Sequence, residues 1–203
     1  MSESVQVKQP LVLIGGGGHC KACIDVIEAT GEWDILGILD LPEKAGERVL
    51  GYQVIGTDSD VRKFVAEGAC FLVSIGQIRT VEPRSRAYER VKAANGKLAT
   101  IVSPLAYVSP SAVLGDGTIV MHRALVNSGA EVGDNVIINT MALVEHDAMV
   151  GSHCHISTAA VVNGGAKVGA ASFVGSNAVV VQGAEVPGST FVPAGALYRQ
   201  REA

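Results

Sequence analysis

Residues 136–162 read VIINTMALVEHDAMVGSHCHISTAAVV, and every sixth position is aliphatic: Ile138, Val144, Val150, Ile156, Val162. The phase runs on without a slip, back through Val132, Val126, Val120 and Leu114 to Val108, and forward through Val168, Val174, Val180 and Val186 to Val192. Two residues before each stands a small or modest side chain, among them Ala106, Thr118, Ala130, Ala142, Cys154, Ala166, Ala178 and Thr190. A helix repeats at 3.6 and a strand at two, so neither produces a strict six. A hexapeptide period is that of a parallel β-helix, in which each hexad forms one short side of a coil and neighbouring coils pair edge to edge. If three hexads close a triangular coil, residues eighteen apart stack directly, and the repeat makes about five coils. Alternation within each short strand turns both the aliphatic and the small residue inward. Nearly all of the repeat is therefore scaffold, and chemistry is to be sought among its outward departures.

The first hundred residues have another texture. Leu11–Gly15 is a short apolar run ending in four glycines, Gly15 to Gly18, followed by His19. Cys20, Cys23, Ile24 and Ile27 then form the apolar stripe of a helix that closes near Gly31. Strands are expected at 35–40, 70–75 and 97–102, with helices at about 58–67 and 84–94. Strands alternating with helices make a small, Rossmann-like parallel α/β sheet. The expected division is an α/β domain at 1–103 and a coil domain at 104–203, with 103–110 as the junction.

Composition suits a soluble cytoplasmic protein. A net charge of −4 argues against nucleic acid or an anionic membrane as partner. No segment has the apolar length of a membrane span, and residues 1–10 are too polar for a signal sequence. Four cysteines without a dense framework suit a reducing compartment. The CxxC of Cys20 and Cys23 lies on the helix stripe, which reads as buried small hydrophobes, so no metal is expected.

Two places carry candidate chemistry. Glycines between a strand and a helix start let backbone N–H groups approach a phosphate. Neither frame of the glycine run completes a dinucleotide fingerprint or a Walker pattern, however. Asp40 closes the second strand, where nucleotide-binding α/β folds place a ribose-binding acid. In the coil, His146, His153 and His155 cluster, with His146-Asp147 at a corner where two successive side chains can face outward. By the eighteen-residue rule Gly164 lies directly above His146, and Glu145 lies between Asn127 and Asn163. A carboxylate beside an imidazole raises its basicity and fixes its tautomer. His155 is expected to project outward half a coil away, and a three-histidine metal site is the rival reading.

Taken together, Gly17-Gly18-His19, Ser74-Ile75-Gly76, the junction Ser103-Pro104…Ser109-Pro110, and the coil's Asn139-Thr140…Glu145-His146-Asp147 and His155-Ile156-Ser157 resemble the sugar acyltransferases of the NeuD/PglD type. That resemblance implies a left-handed coil, a homotrimer, and transfer of acetyl from acetyl-CoA to a nucleotide-linked amino sugar, a UDP-sugar favoured, or to a sialic acid hydroxyl. By position it makes His146 the base and Asp147 its support. It sets His155, Gly164, Ser176 and Ala194 along acetyl-CoA, and Gly17, Gly18, His19, Asp40 and Gly76 around the nucleotide-sugar. Leu41 and Phe191 depart from the family, in which some members have Asp at the first place and Gly is common at the second. Two other readings stand beside it. One is a nucleotidyltransferase or epimerase working through the α/β domain. The other is a non-catalytic β-helix assembly module, which predicts no binding of acetyl-CoA.

Overall fold

The computed structural model describes residues 7–77 and 79–199, which form two compact units. Of the described residues, the first comprises 7–76 together with 87–99; the second comprises 77, 79–86 and 100–199.

In the first unit β1 (Gln9–Ile14), β2 (Trp33–Leu39), β4 (Tyr52–Gly56), β5 (Cys70–Val73) and β6 (Lys97–Leu98) pair in parallel, and β3 (Arg48–Val49) adds an antiparallel edge. The strand order is β3-β4-β2-β1-β5-β6. Residues Leu11, Val12 and Leu13 are fully buried, as a central parallel strand covered on both faces requires. Helix α1 (Gly18–Thr30) buries Cys20, Cys23, Ile24, Val26 and Ile27 and ends on Gly31 in the left-handed region. Helices α2 (Val61–Ala66) and α3 (Glu82–Ala93) follow. The β3–β4 hairpin is an element the sequence reading lacks. Its turn residues Leu50 and Gly51 both have positive φ, and Leu in that place hides a turn that Asn-Gly would announce.

The second unit is a parallel β-helix of two-residue strands in three sheets. Side one runs from Ile101–Val102 to Phe191–Val192, side two from Tyr107–Val108 to Leu197–Tyr198, and side three from Val113–Leu114 to Glu185–Val186, each in steps of eighteen residues. The coil thus extends one hexad beyond the expected run at each end. The strand expected over 97–102 is in fact two: Lys97–Leu98 pairs with β5, and Ile101–Val102 pairs with Ile119–Val120 in the coil. The interior holds Val120, Val126, Ile138, Val144, Ile156, Val162 and their small partners, all essentially without solvent contact. Cys154 is one of these small partners, and burial pushes its thiol up to about 11.

The corners carry a second period. From Gly117 to Gly195 every sixth residue has φ between 52° and 72°, whether it is Gly, Asn, Arg123, Met141, Asp147 or Ala171. For an L-residue this conformation costs on the order of 1–2 kcal/mol. The stacked hydrogen bonds offset it, as when the Asp147 N–H donates to the Ser128 carbonyl and the Gly165 N–H to that of His146.

The three outer faces differ. Side two presents Tyr107, Leu125, Leu143, Val161, Val179 and Leu197, an apolar face. Side three alternates Val113, Glu131, Met149, Lys167 and Glu185, the last two ion-paired at 2.8 Å. On side one Ile101, Ile119 and Ile137 are buried, and the segment 77–86 is pinned to this unit by Arg84, whose guanidinium donates to both oxygens of the buried Asn135.

Candidate active site

His146 and Asp147 occupy the corner between side two and side three, after Leu143–Val144 and before Met149–Val150. The left-handed φ of Asp147 turns its carboxylate back, and Oδ2 accepts a hydrogen bond from His146 Nδ1 at 2.9 Å. A carboxylate can only accept, so Nδ1 carries the proton and Nε2 is left as the basic nitrogen. That hydrogen bond, together with the charges of Asp147 and Glu145, raises the imidazole's pKa above its ordinary value in spite of desolvation. The side chain of His146 is 56% exposed, open to a substrate. Glu145 Oε2 accepts from the His146 N–H at 3.2 Å and from Asn127 Nδ2 at 2.8 Å, which anchors the corner to the coil below.

Gly164 stands over the imidazole, as the eighteen-residue stacking requires. A Cβ there would lie 2.6 Å from His146 Nε2, so no side chain fits while the ring holds this position. Gly164 is buried, and among the described residues nothing accepts its N–H. A basic nitrogen and an unsatisfied backbone donor therefore meet at one corner.

His155 is placed differently from the outward position expected of it. It lies on side one and is 6% exposed. Asn139 Oδ1 accepts the Thr140 N–H at 2.8 Å, so the Asn139 amide group faces His155 Nε2 at 3.0 Å as donor. His155 Nδ1 then donates to the Gln77 carbonyl at 2.8 Å, and the ring stands edge-on to Phe173. Phe191 stacks parallel on Phe173, its own ring exposed. Ser176 pairs with Ser157 at 3.1 Å between coils, and Ala194 lies exposed on the next coil at the same corner. Asn139 is marked in the sequence only as part of the family motif, with no role attached, and Gln77 is not marked at all. Gln77 is 78 positions from its partner, and no periodicity connects them.

In the first unit, Gly17 caps α1 and Gly18 begins it, and a Cβ on either would meet nothing. This open loop follows β1, while Ser74-Ile75-Gly76 follows the adjacent β5. The chain leaves β1 for β2 on one side and reaches β5 on the other, so both loops lie at the topological switch point, where α/β sheets bind ligands. His19 packs within this crevice: a Cβ on Gly76 would stand 3.2 Å from that of His19. Asp40 faces the loop from β2. Its Oδ2 accepts from Gly16 N–H at 2.7 Å and Lys44 Nζ at 3.0 Å, and Oδ1 accepts from Leu41 N–H. Burial pushes the Asp40 carboxyl up, but the amides of Leu41 and Gly16 with Lys44 outweigh it, and the net shift is down.

Among the described residues no group of three His, Cys, Asp or Glu is arranged to hold a metal, and no helix is long and apolar enough to cross a membrane. The PglD N-terminal domain family matches residues 10–91. The acetyltransferase domain of PglB from Neisseria gonorrhoeae, solved with acetyl coenzyme A, superposes with a TM-score of 0.86 at 32% identity, over 95% of this chain and 92% of that one. The chain belongs to the PglD-type sugar acyltransferases. PerB from Caulobacter crescentus, solved with CoA and GDP-perosamine, superposes with a TM-score of 0.85 at 33% identity, over 98% of this chain and 92% of its own. The UDP-N-acetylbacillosamine N-acetyltransferase of Bacillus subtilis is 28% identical over 113 residues, which is 55% of this chain and 50% of that enzyme. The chain spans half or less of the length of the curated relatives it matches.

Proposed function

We propose that this PglD-type acyltransferase transfers acetyl from acetyl-CoA to the amino group of a nucleotide-linked 4-amino-4,6-dideoxy sugar, a UDP-sugar before a GDP-sugar, for the building of surface glycans. The observation that carries the reading is the corner at 146–147: Asp147 on Nδ1, Nε2 turned toward the bare backbone of Gly164, and an N–H there with no acceptor among the described residues.

Acetyl-CoA, as co-substrate, supplies the acyl group. His146 Nε2 takes the proton of the sugar amine as the new N–C bond forms and the C–S bond breaks, with CoA leaving as the thiol. The Gly164 N–H faces the oxygen on which negative charge develops, and a fixed donor stabilises it without reorganising. The loops at Gly17, Gly18, His19 and Gly76 hold the nucleotide-sugar, with Asp40 bracing the glycine loop through Gly16. His155, Ser176 and Ala194 flank the co-substrate along the coil. Direct transfer is favoured over an acyl-enzyme because among the described residues no serine or cysteine side chain is hydrogen-bonded to the His146 imidazole, and the Cys154 thiol is sealed in the interior.

The apolar face of side two supports a homotrimer, since a contiguous aliphatic face of this kind is normally covered by a partner. Four cysteines, none of them in a disulfide, support the cytoplasm as the place of action. The test is direct. The protein is incubated with acetyl-CoA and UDP-, GDP- or dTDP-linked 4-amino sugars, and products are read by mass spectrometry. An acetylated UDP-sugar is expected. Acetylation of a sugar hydroxyl, or none with any acceptor sugar, sinks the reading.

A further inference from the structure

Asn127, Glu145 and Asn163 hold the same place on three successive coils, each just before the corner that carries Ser128, His146 or Gly164. In the first two the side chain caps the amide that follows it. Asn127 Oδ1 accepts the Ser128 N–H at 2.8 Å, and Glu145 Oε2 accepts that of His146. At another corner Asn139 caps the Thr140 N–H in the same way, also at 2.8 Å. Asn163 departs from the pattern. Its Nδ2 donates at 2.9 Å to the Val180 carbonyl, which also accepts the Asn163 N–H at 3.1 Å. A carbonyl only accepts, so the orientation of the amide is fixed, and its oxygen is kept from the Gly164 N–H. Buried backbone N–H groups without an acceptor are rare in native proteins, and here the residue best placed to supply one points the other way.

We infer that the Val180 carbonyl turns the Asn163 amide away from Gly164, so that the side chain at this position does not cap the Gly164 N–H and leaves it open for the acyl oxygen. The inference rests on the acyl-transfer reading of this corner. An N–H already bonded to a side chain would have to exchange partners in the transition state and would lose the advantage of a preorganised donor.

Two substitutions separate this role from a structural one. Asn163→Asp has no hydrogen to give to Val180, and its carboxylate is free to cap Gly164 as Asn127 and Asn139 cap their neighbours. The expected result is a fall in kcat of roughly 10²-fold, the size of losing one oxyanion donor, with KM for acetyl-CoA nearly unchanged. Asn163→Ala loses the same bond to Val180 but offers nothing to Gly164, so its kcat should stay close to that of the wild type. The amide itself is observed by labelling glycine with 15N and the preceding residue with 13C at the carbonyl. In the wild type only Asn95–Gly96 and Asn163–Gly164 satisfy that pairing. The Gly164 proton should move downfield in the Asp variant and not in the Ala variant. An Ala variant as slow as the Asp variant, or a Gly164 resonance unmoved in the Asp variant, overturns the proposal. A wild type that transfers no acetyl group sinks the acyl-transfer reading instead, and the resonance alone then decides whether Asn163 keeps the amide open.

Discussion

The two histidines nine residues apart in the coil show how far one repeat can carry opposite assignments. His146 stands on a corner, exposed, with one nitrogen held by Asp147 and the other open under Gly164. His155 stands on a flat side, buried, with both nitrogens engaged by Gln77 and Asn139. The corner frees a side chain because the turn puts two successive residues outside the coil. The flat side allows one outward residue per hexad, and here the chain itself covers it. The six-residue frame decides whether an imidazole stands on a corner or a flat side, and for His155 the covering segment at Gln77 decides the rest.

The contrast breaks most visibly at His146. Replacing it with Ala should lower kcat by roughly 10²–10⁴ while binding of acetyl-CoA, followed by calorimetry, hardly changes. Near-native turnover would remove His146 from the chemistry. Gly164→Ala comes next: its Cβ displaces the ring, and an expected loss of about 10²-fold in kcat should come with a folded protein by circular dichroism.

Asp147→Asn sharpens the comparison by pH. The imidazole's pKa is raised in the native protein, chiefly by the Asp147 hydrogen bond. A base must be unprotonated to act, so activity rises with pH through that pKa. Removing the carboxylate lowers the pKa and should move the acid limb of kcat/KM to lower pH, with kcat reduced about tenfold. A limb that stays in place assigns it to another group. His155→Phe has the smallest expected effect on turnover and acts on stability. It leaves the Gln77 carbonyl and the Asn139 amide without their partner, at about 1–3 kcal/mol each, so Tm should fall by several degrees. A rise in KM for acetyl-CoA is expected alongside, from its place beside the co-substrate, and an unchanged Tm would show that the two hydrogen bonds carry little of the stability.

How much of this was legible in the sequence follows the same division. The coil could be read because its narrow interior admits only a branched and a small residue per side, which leaves a period that no other fold produces. Its first side was read as part of the α/β sheet, since Ile101-Val102 uses the vocabulary of any buried parallel strand. The left-handed corners were hidden, because stacking imposes the conformation on Arg123, Met141 and Ala171 as readily as on glycine. The contact of His146 with Gly164 could be counted out in steps of eighteen. The burial of His155 could not, for its cover comes from Gln77, outside the repeat. The same holds for Asn163: position gave its column, while the turning of its amide toward Val180 depends on rotamer and distance.

The eighteen-residue stack also sets which changes of length this enzyme family can tolerate. Removing or adding a whole coil above Gly164 or below Asn127 shortens or lengthens the prism without disturbing the corner. Removing a single hexad between His146 and Gly164 would instead carry the glycine round to another edge and bring a different residue over the imidazole. Length variation among such coils should therefore come in units of three hexads and should spare the stretch from Asn127 to Val180. Nothing in the chemistry of the reaction imposes that restriction; it comes from the ruler on which the site is laid out.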